Sequence, residues 1–292
     1  LTIANWKTQP TTAQDLLAFL REEMAGGGVE QARTEARWIV EDVLGCGYSS
    51  VLAGLAPNPT SEQSQAALDI LNSRLKGKPL AHVLGYTEFY GLRFKVAPGV
   101  LVPRPETEML VETALKILEK ENWREPWILD LYTGCGNVLL SIMSEMPMAR
   151  GAGIDADPVA LACAEENREI LNCPNAVFAH GNVREVLDKL DQKFHLLTAN
   201  PPYVATDEIS GLDPEVKAES RIALDGGPDG LSELRVLAEK GRGVLAADGL
   251  LLCEIGADQA EKVRRTFSDW KYVDIIKDLT GRDRILIAHD RS

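Results

Sequence analysis

Through the first eighty residues apolar side chains recur at three- and four-residue spacing, the period of helices that bury one face. The stretch "TTAQDLLAFLREEMAGGG" sets a threonine cap before Leu16, Leu17, Phe19 and Leu20 and stops at Gly26 to Gly28. "VEQARTEARWIVEDVLGCG" spaces Ala36, Ile39, Val40 and Val43 along one face and ends on Gly45 and Gly47. "SEQSQAALDILNSRLKGKPLA" takes Ser61 as cap, aligns Leu68, Leu71 and Leu75, and terminates at Gly77 and Pro79. Residues 1–80 are therefore expected to form a small helical domain.

The period then shortens to two. "EFYGLRFKVAPGVLVPRPETE" alternates apolar and polar residues around Gly91 and Pro98-Gly99, which predicts a β-hairpin in a linker spanning residues 81–106. A helix follows from about Thr107 to Lys120, with Glu106 and Glu108 in its first turn, where negative charge suits the helix dipole. From Trp127 short apolar runs alternate with helical periods. "WILDLY", "RGAGID", "AVFAHG", "HLLTAN" and "GLLLCEIG" read as strands, separated by segments such as "VLLSIMSEM" and "PVALACAEENREIL". This alternation predicts an α/β domain over residues 107–292, a doubly wound parallel sheet with ligands at the carboxyl ends of its strands. "KYVDIIKDLTGRDRILIAHD" closes the chain as two strands turning near Gly281-Arg282, an antiparallel edge pair.

Composition narrows the functions. The 292 residues are 45% hydrophobic and 26% charged, ordinary for a globular enzyme. With 31 Lys plus Arg against 44 Asp plus Glu, the formal charge is -13, which disfavours binding to nucleic acid or anionic lipid through a basic surface. Cys46, Cys135, Cys163, Cys173 and Cys253 show no metal-ligand or disulfide spacing, so reduced thiols and no metal are expected. "LTIANWKTQP" has neither a basic n-region nor an apolar core. A soluble protein of the cytoplasm is expected, or of an organellar matrix if a transit peptide has been removed.

Candidate chemistry sits at two strand ends. "ILDLYTGCGNVLL" is strand, glycine turn and helix: Gly134 and Gly136 let a ligand approach the backbone, and Asp130 can accept a hydrogen bond from a ligand amine. Asp155, 25 residues further on in "GIDADP", is placed to take both hydroxyls of a ribose. A glycine turn with such an acid fits NAD or S-adenosylmethionine, but "YTGCGN" lacks the three glycines of the dinucleotide fingerprint. "DLYTGCG" matches the acid-x-Gly-x-Gly-x-Gly turn of methyltransferases except at Tyr132, where a positive φ would be costly and the ring must turn aside or narrow the pocket.

The second strand end is Asn200-Pro201-Pro202-Tyr203. Two prolines fix φ and remove donors, so a rigid loop presents carbonyls beside the Asn200 amide. Converging acceptors suit a target bearing an NH2 group, and Tyr203 could stack on its plane. Held by the Asn200 side-chain oxygen and the Pro201 carbonyl, a delocalised nitrogen could attack a sulfonium methyl by alignment and desolvation, without a strong base. Asn200, Pro201 and Tyr203 are the candidate catalytic residues.

"PLAHVLGYTEFYGLRFKVAPGVLVPRPETEMLVE", "ILDLYTGCG", "NPPYV", "ALDGGPDGL", "EIGADQ" and "DLTGRDRILI" together resemble the HemK/PrmC release-factor glutamine methyltransferases, from about Pro79 to Ala288. The resemblance implies a class I, Rossmann-like domain that transfers methyl from S-adenosylmethionine to the glutamine amide of the Gly-Gly-Gln loop in class I peptide-chain release factors. It puts cofactor contacts on Tyr132, Thr133, Gly134, Cys135, Gly136, Asp155, Asn182, Val183 and Asn200, and substrate contacts on Asn200, Pro201, Pro202 and Tyr203. Phe89 and Arg104 to Glu106 are weaker candidates for shaping the pocket, a helix-entry ion pair being the competing role for Arg104. The chain departs from the family's pattern at Tyr132, at Asn182 where an acid is usual, at Val183 where an aromatic can cover adenine, at His195 and at Ser220, where a proline is usual. His195 is expected to start a strand and to have no catalytic role. The helical domain is the expected docking site for the release factor, and the protein is expected to be a monomer. Two competing readings are an adenine-amine methyltransferase acting on nucleic acid, which would need a positive groove, and a cofactor-binding homologue without catalysis.

Overall fold

A computed structural model describes residues 10–291, so nearly all of the segment read for targeting signals lies outside the described residues. The chain divides between Leu84 and Gly85 into two compact units, which groups the hairpin with the sheet.

The first unit contains α1 (Ala13–Gly26), α2 (Ala32–Leu44), α3 (Tyr48–Leu52), α4 (Ser61–Leu75) and α5 (Leu80–Leu84). Thr12 caps α1: its side chain accepts from the Asp15 N–H while the Asp15 carboxylate accepts from the Thr12 N–H. Thr60, not Ser61, caps α4, because Gln63 stands three residues after Thr60 and closes the same reciprocal box. Leu16, Leu20, Met24, Ile39, Val40 and Leu71 are fully buried, as the helical spacing predicts. Among them Arg74 makes a bidentate pair with Glu35 at 2.5 and 3.0 Å, so that charge buried in this core is neutralised.

The second unit opens with β1 (Tyr86–Phe89) and β2 (Leu92–Lys95), antiparallel across Tyr90-Gly91, whose φ values of 53° and 71° suit a two-residue hairpin turn. Pro98-Gly99 lie beyond the hairpin. A 3-10 turn (Pro105–Thr107) leads into α6 (Glu108–Glu121). Then come β3 (Trp127–Leu131), α7 (Asn137–Glu145), β4 (Arg150–Asp155), α8 (Pro158–Ile170), β5 (Ala176–His180), α9 (Val183–Leu187) and β6 (Phe194–Ala199). A short α10 (Arg221–Leu224) precedes α11 (Ser232–Val244), β7 (Leu245–Glu254), α12 (Ala260–Thr266), β8 (Tyr272–Lys277) and β9 (Asp283–His289).

The strand order is β5-β4-β3-β6-β7-β9-β8. β3 to β7 pair in parallel, whereas β9 runs antiparallel to β7 and β8, as expected for the last two strands. Leu129, Leu131, Leu197, Ala199, Leu251 and Leu286 form the center of the core, which explains why the inner strands read as continuous apolar runs. The chain starts at β3, travels outward to β5 and returns to β6 on the other side of β3. The order reverses between β3 and β6, and a crevice opens at their carboxyl ends.

Candidate active site

Past β3 the backbone takes the glycine turn with φ of 59° at Tyr132, 57° at Gly134 and 81° at Gly136. A tyrosine in the left-handed region costs about 1–2 kcal/mol. Its hydroxyl donates to Glu233 Oε2 at 2.7 Å, and its ring packs against the sheet core. Burial first and the Glu233 charge second push this phenol well above its ordinary pKa, so it stays a neutral donor.

Asp155 ends β4 across from this turn. Its Oδ2 accepts the Gly134 N–H and its Oδ1 the Asp157 N–H, each at 2.8 Å. Burial raises its pKa and the two backbone bonds oppose that rise. Each oxygen retains acceptor capacity toward the crevice. Asp130 behaves differently from the sequence expectation. It is 1% exposed, and its oxygens accept the Thr133 hydroxyl at 2.6 Å and the Thr198 hydroxyl at 2.7 Å. Burial pushes its carboxyl up to about 6 against the pull of these hydroxyls. Asp130 braces the turn from behind and is not in the cavity wall.

A cavity of about 430 Å³ occupies the crevice, within the roughly 300–1,000 Å³ of small-molecule sites. Of the residues singled out in the sequence, Tyr132, Gly134, Asp155, Asn182, Val183, Asn200 and Pro202 line it. Asn182 also caps α9, its Oδ1 accepting the Arg184 N–H at 3.0 Å. Thr133 and Cys135 are buried behind the turn, and burial pushes the Cys135 thiol up to about 12. Gly136 is a packing glycine: a Cβ there would meet Leu140 and Phe178 at 3.1 Å. Phe89 faces inward from β1, 1% exposed and edge-on to Phe94, and does not reach the cavity wall.

The Asn200-Pro201-Pro202-Tyr203 loop is clamped by the glycine-rich segment 225–230. The Val204 N–H donates to the Leu224 carbonyl at 3.1 Å and the Gly226 N–H to the Val204 carbonyl at 2.8 Å. A Cβ on Gly226 would stand 2.7 Å from the Pro202 carbonyl oxygen, and one on Gly230 would strike the Tyr203 carbonyl. Gln259 Nε2 adds a bond to that carbonyl at 3.0 Å. Asn200 Nδ2 donates to Thr107 Oγ1 at 3.4 Å. Tyr203 is outside the cavity wall, and burial chiefly pushes its phenol up to about 12, with the Glu254 charge pushing the same way.

Arg104 takes the ion-pair role, 2.7 Å from Glu219 Oε1, which also accepts the Val102 N–H at 3.1 Å. The Ser220 N–H donates to the Gly99 carbonyl at 2.6 Å, a bond that a proline there could not make. His195 Nδ1 accepts the Trp127 N–H at 3.0 Å, tying β6 to β3 away from the crevice. The sequence reading missed Gly99 to Leu101, Arg221 to Ala223, Asp225 and Glu233, all in the cavity wall. It also gave no role to Glu254, 2% exposed at the end of β7. Val100 and Leu101 lie in "VLVPRPETE", Ala223 and Asp225 in "ALDGGPDGL" and Glu254 in "EIGADQ", segments in which only Arg104 to Glu106 had been assigned; Arg221, Ile222 and Glu233 fall outside them and carried no motif signal.

The strand order and the crevice at its switch point define a class I methyltransferase. The T. thermophilus 16S rRNA methyltransferase RsmC, in complex with AdoMet and guanosine, has this fold, with a TM-score of 0.51 and 18% identity over 70% of this chain and 50% of that one. Family models match at residues 15–85, the PrmC N-terminal domain, and at residues 105–223, the methyltransferase small domain. The release factor glutamine methyltransferase of Moorella thermoacetica is 36% identical over 289 residues, 96% of this chain and 99% of that one. That of Thermodesulfovibrio yellowstonii is 40% identical over 238 residues, 79% of this chain and 83% of that one. The chain belongs to the release factor glutamine methyltransferase family.

Proposed function

We propose that this protein transfers a methyl group from S-adenosylmethionine to the side-chain amide nitrogen of the glutamine in the Gly-Gly-Gln loop of class I peptide-chain release factors, an activity that supports translation termination. The observation that carries the reading is that Asn200 and Asp155 line one cavity. The residues fit the cofactor. Asp155 has acceptor capacity for two ribose hydroxyls, Val183 and Ala160 supply apolar surface for a base, and Gly134 leaves open space where a side chain would stand.

When bound, the cofactor supplies an electrophilic sulfonium methyl. The protein's part is orientation. Asn200 Oδ1 and the Pro201 carbonyl accept the two N–H bonds of the target amide and turn its nitrogen toward the methyl. Pro201 and Pro202 keep those acceptors on a backbone with fixed φ. Apolar side chains around them exclude water, which strengthens both hydrogen bonds. Once it carries the methyl, the amide nitrogen is strongly acidic and gives up one proton along its hydrogen bonds to water, so no group in this scheme acts as a strong base. The helical unit docks the release factor, and the enzyme acts as a cytoplasmic monomer. Among the described residues no helix is long and apolar enough to cross a membrane, and no group of three His, Cys, Asp or Glu side chains could hold a metal ion.

The test is methyl transfer from labelled cofactor to purified release factor, with a Gln→Ala variant of its Gly-Gly-Gln loop and a DNA duplex as parallel substrates. Label on the unmodified factor alone is expected. Label on DNA would replace the reading with adenine methylation, and cofactor binding without any label would replace it with a non-catalytic binding protein. Removal of residues 1–78 is expected to weaken release-factor binding; unchanged affinity would sink the docking role.

A further inference from the structure

The scheme above leaves one acid of the cavity wall unused. Glu233, in the first turn of α11, lines the cavity together with Tyr132, whose hydroxyl donates to Glu233 Oε2 at 2.7 Å. The other acids of that wall have donors of another kind. Asp155 and Asp157 accept backbone N–H groups beside β4, and Asp225 holds the Arg221 guanidinium and the Thr206 hydroxyl. Glu233 bonds only the phenol: among the described residues it meets no cation, and its Oε1 has no partner. The Arg184 guanidinium, whose charge reaches Tyr132, is ion-paired with Glu239 at 3.4 Å instead.

The strand register shows which part of a ligand this acid faces. Leu131, the last residue of β3, pairs with Ile154 of β4 on one side and with Ala199 of β6 on the other. The next residues on the three strands are Tyr132, Asp155 and Asn200. Tyr132 therefore leaves the sheet between the acid assigned to the ribose and the amide assigned to the target. The sulfonium sulfur of S-adenosylmethionine carries three carbons: the adenosyl group, the methyl, and a chain that ends in an ammonium and a carboxylate. With the first on the Asp155 side and the second turned toward Asn200, the third is left to the turn after β3. A carboxylate and a phenol oxygen there are acceptors, one of them charged, which suits an ammonium and opposes a second carboxylate.

We propose that Glu233 and the Tyr132 phenol oxygen form the subsite that holds the ammonium group of the cofactor. The inference rests on the function proposed above, which supplies a ligand carrying that group. Sequence reading assigned the ligand amine to Asp130, but the fold buries Asp130 behind the turn, where the Thr133 and Thr198 hydroxyls occupy it. Tyr132 brings a replacement. Its hydroxyl gives its one proton to Glu233 Oε2, which fixes the carboxylate and leaves the phenol oxygen as an acceptor beside it. Glu233 Oε1 is then the charged acceptor without a partner. The side chain that stands where the methyltransferase turn has glycine thus narrows the cavity and holds an acid in its wall. No bond to carbon changes at this subsite; it contributes affinity and fixes the chain that carries the sulfur.

Calorimetric titration of the full-length protein with three ligands tests this. S-adenosylmethionine and S-adenosylhomocysteine both carry the ammonium, whereas 5′-methylthioadenosine keeps the adenosine and the sulfur and lacks the amino-acid chain. Glu233→Gln retains an acceptor for the Tyr132 hydroxyl and removes the charge. It should weaken the first two ligands alike, by about 5- to 10-fold for a half-buried charge-assisted bond, and leave methylthioadenosine within about twofold. Tyr132→Phe should weaken the same two ligands by a smaller factor and again spare methylthioadenosine. A role confined to supporting the turn would weaken all three, so equal losses would overturn the proposal. Unchanged affinity for S-adenosylhomocysteine in Glu233→Gln would overturn it too. So would a loss restricted to S-adenosylmethionine, because that would mark the sulfonium as the charge being read. A wild-type protein that binds none of the three overturns the functional reading together with this subsite. Cofactor binding without methylation of release factor overturns that reading alone, and the titrations still decide the subsite.

Discussion

Two loops meet at the reversal of strand order, and they are held in opposite ways. The turn after β3 is secured by side chains: Asp155 accepts the Gly134 N–H, Asp130 anchors the Thr133 hydroxyl, and the Tyr132 hydroxyl reaches Glu233. The loop after β6 is secured chiefly by backbone against backbone, with Gly226 and Gly230 pressed on Pro202 and Tyr203 and the Gln259 side chain adding one bond to the Tyr203 carbonyl. Side-chain fastening tolerates exchange, because a new residue can find a new partner. Tyr132 is such an exchange, a tyrosine accepted at φ 59° once Glu233 takes its hydroxyl. Backbone fastening tolerates little, and the Asn-Pro-Pro-Tyr sequence with its glycine clamp stands intact. The loop assigned to the acceptors is the one whose geometry has least freedom.

The comparison predicts that the loop after β6 is the more sensitive one. Asn200→Ala removes one preorganised acceptor and is expected to cost roughly 2–4 kcal/mol in the transition state. Steady-state turnover on release factor measures it, and calorimetry should show cofactor binding largely kept. Near-wild-type turnover would remove Asn200 from the mechanism.

Next in size is the clamp. Gly230 has φ of 72°, and its Cβ would strike the Tyr203 carbonyl. Gly230→Ala combines backbone strain with displacement of the loop and is expected to destabilise the fold by about 1–3 kcal/mol. Denaturant unfolding checks that cost, and turnover should fall further than stability alone accounts for. A fully active, equally stable Gly230→Ala protein would mean that the loop is held by other contacts.

These contacts mark where the sequence stopped being readable. Helical and strand periods placed the long helices and the strands within a few residues, because periodicity reports burial along one segment; α3, α5 and α10 are too short to show a period and were not foreseen. They did not separate Asp130 from Asp155, two acids at the ends of adjacent strands. What separates them is the partner strand: Asp130 lies in register with Thr198 of β6, which takes one carboxylate oxygen. Phe89 failed for a similar reason, since alternation predicts a hairpin without saying which face meets Phe94. Thr107 and Asn200 stand 93 residues apart in the chain, and only the fold brings them together. Asn200-Pro201-Pro202 and Asp155 were legible because each carries its chemistry in a short local pattern.

On the more tolerant side, Tyr132→Phe deletes the hydroxyl bond to Glu233 and keeps the ring. A hydrogen bond to a charged group contributes about 1.5–3 kcal/mol when enclosed, and about 1 kcal/mol is expected here because both side chains are only half-buried. Denaturant unfolding would show the loss. Unchanged stability would mean that packing of the ring, and not its hydroxyl, keeps Tyr132 in place.

Tyr132→Gly is expected to have the smallest net effect, because its terms oppose one another. Glycine takes a positive φ without the roughly 1–2 kcal/mol that a side chain costs there. Against that relief stand the lost hydroxyl bond, the lost packing of a half-buried ring and the greater freedom of glycine in the unfolded chain. Stability should therefore move by no more than about 1 kcal/mol. Cofactor affinity separates the terms, since Tyr132 is part of the cavity wall and Glu233 lies beside it. If the ring only narrows the cavity, its removal tightens S-adenosylmethionine binding, by less than about tenfold, or 1.4 kcal/mol. Weaker binding by calorimetry would show that the tyrosine is itself a cofactor contact, so that the tolerant loop has exchanged a backbone approach for a side-chain one.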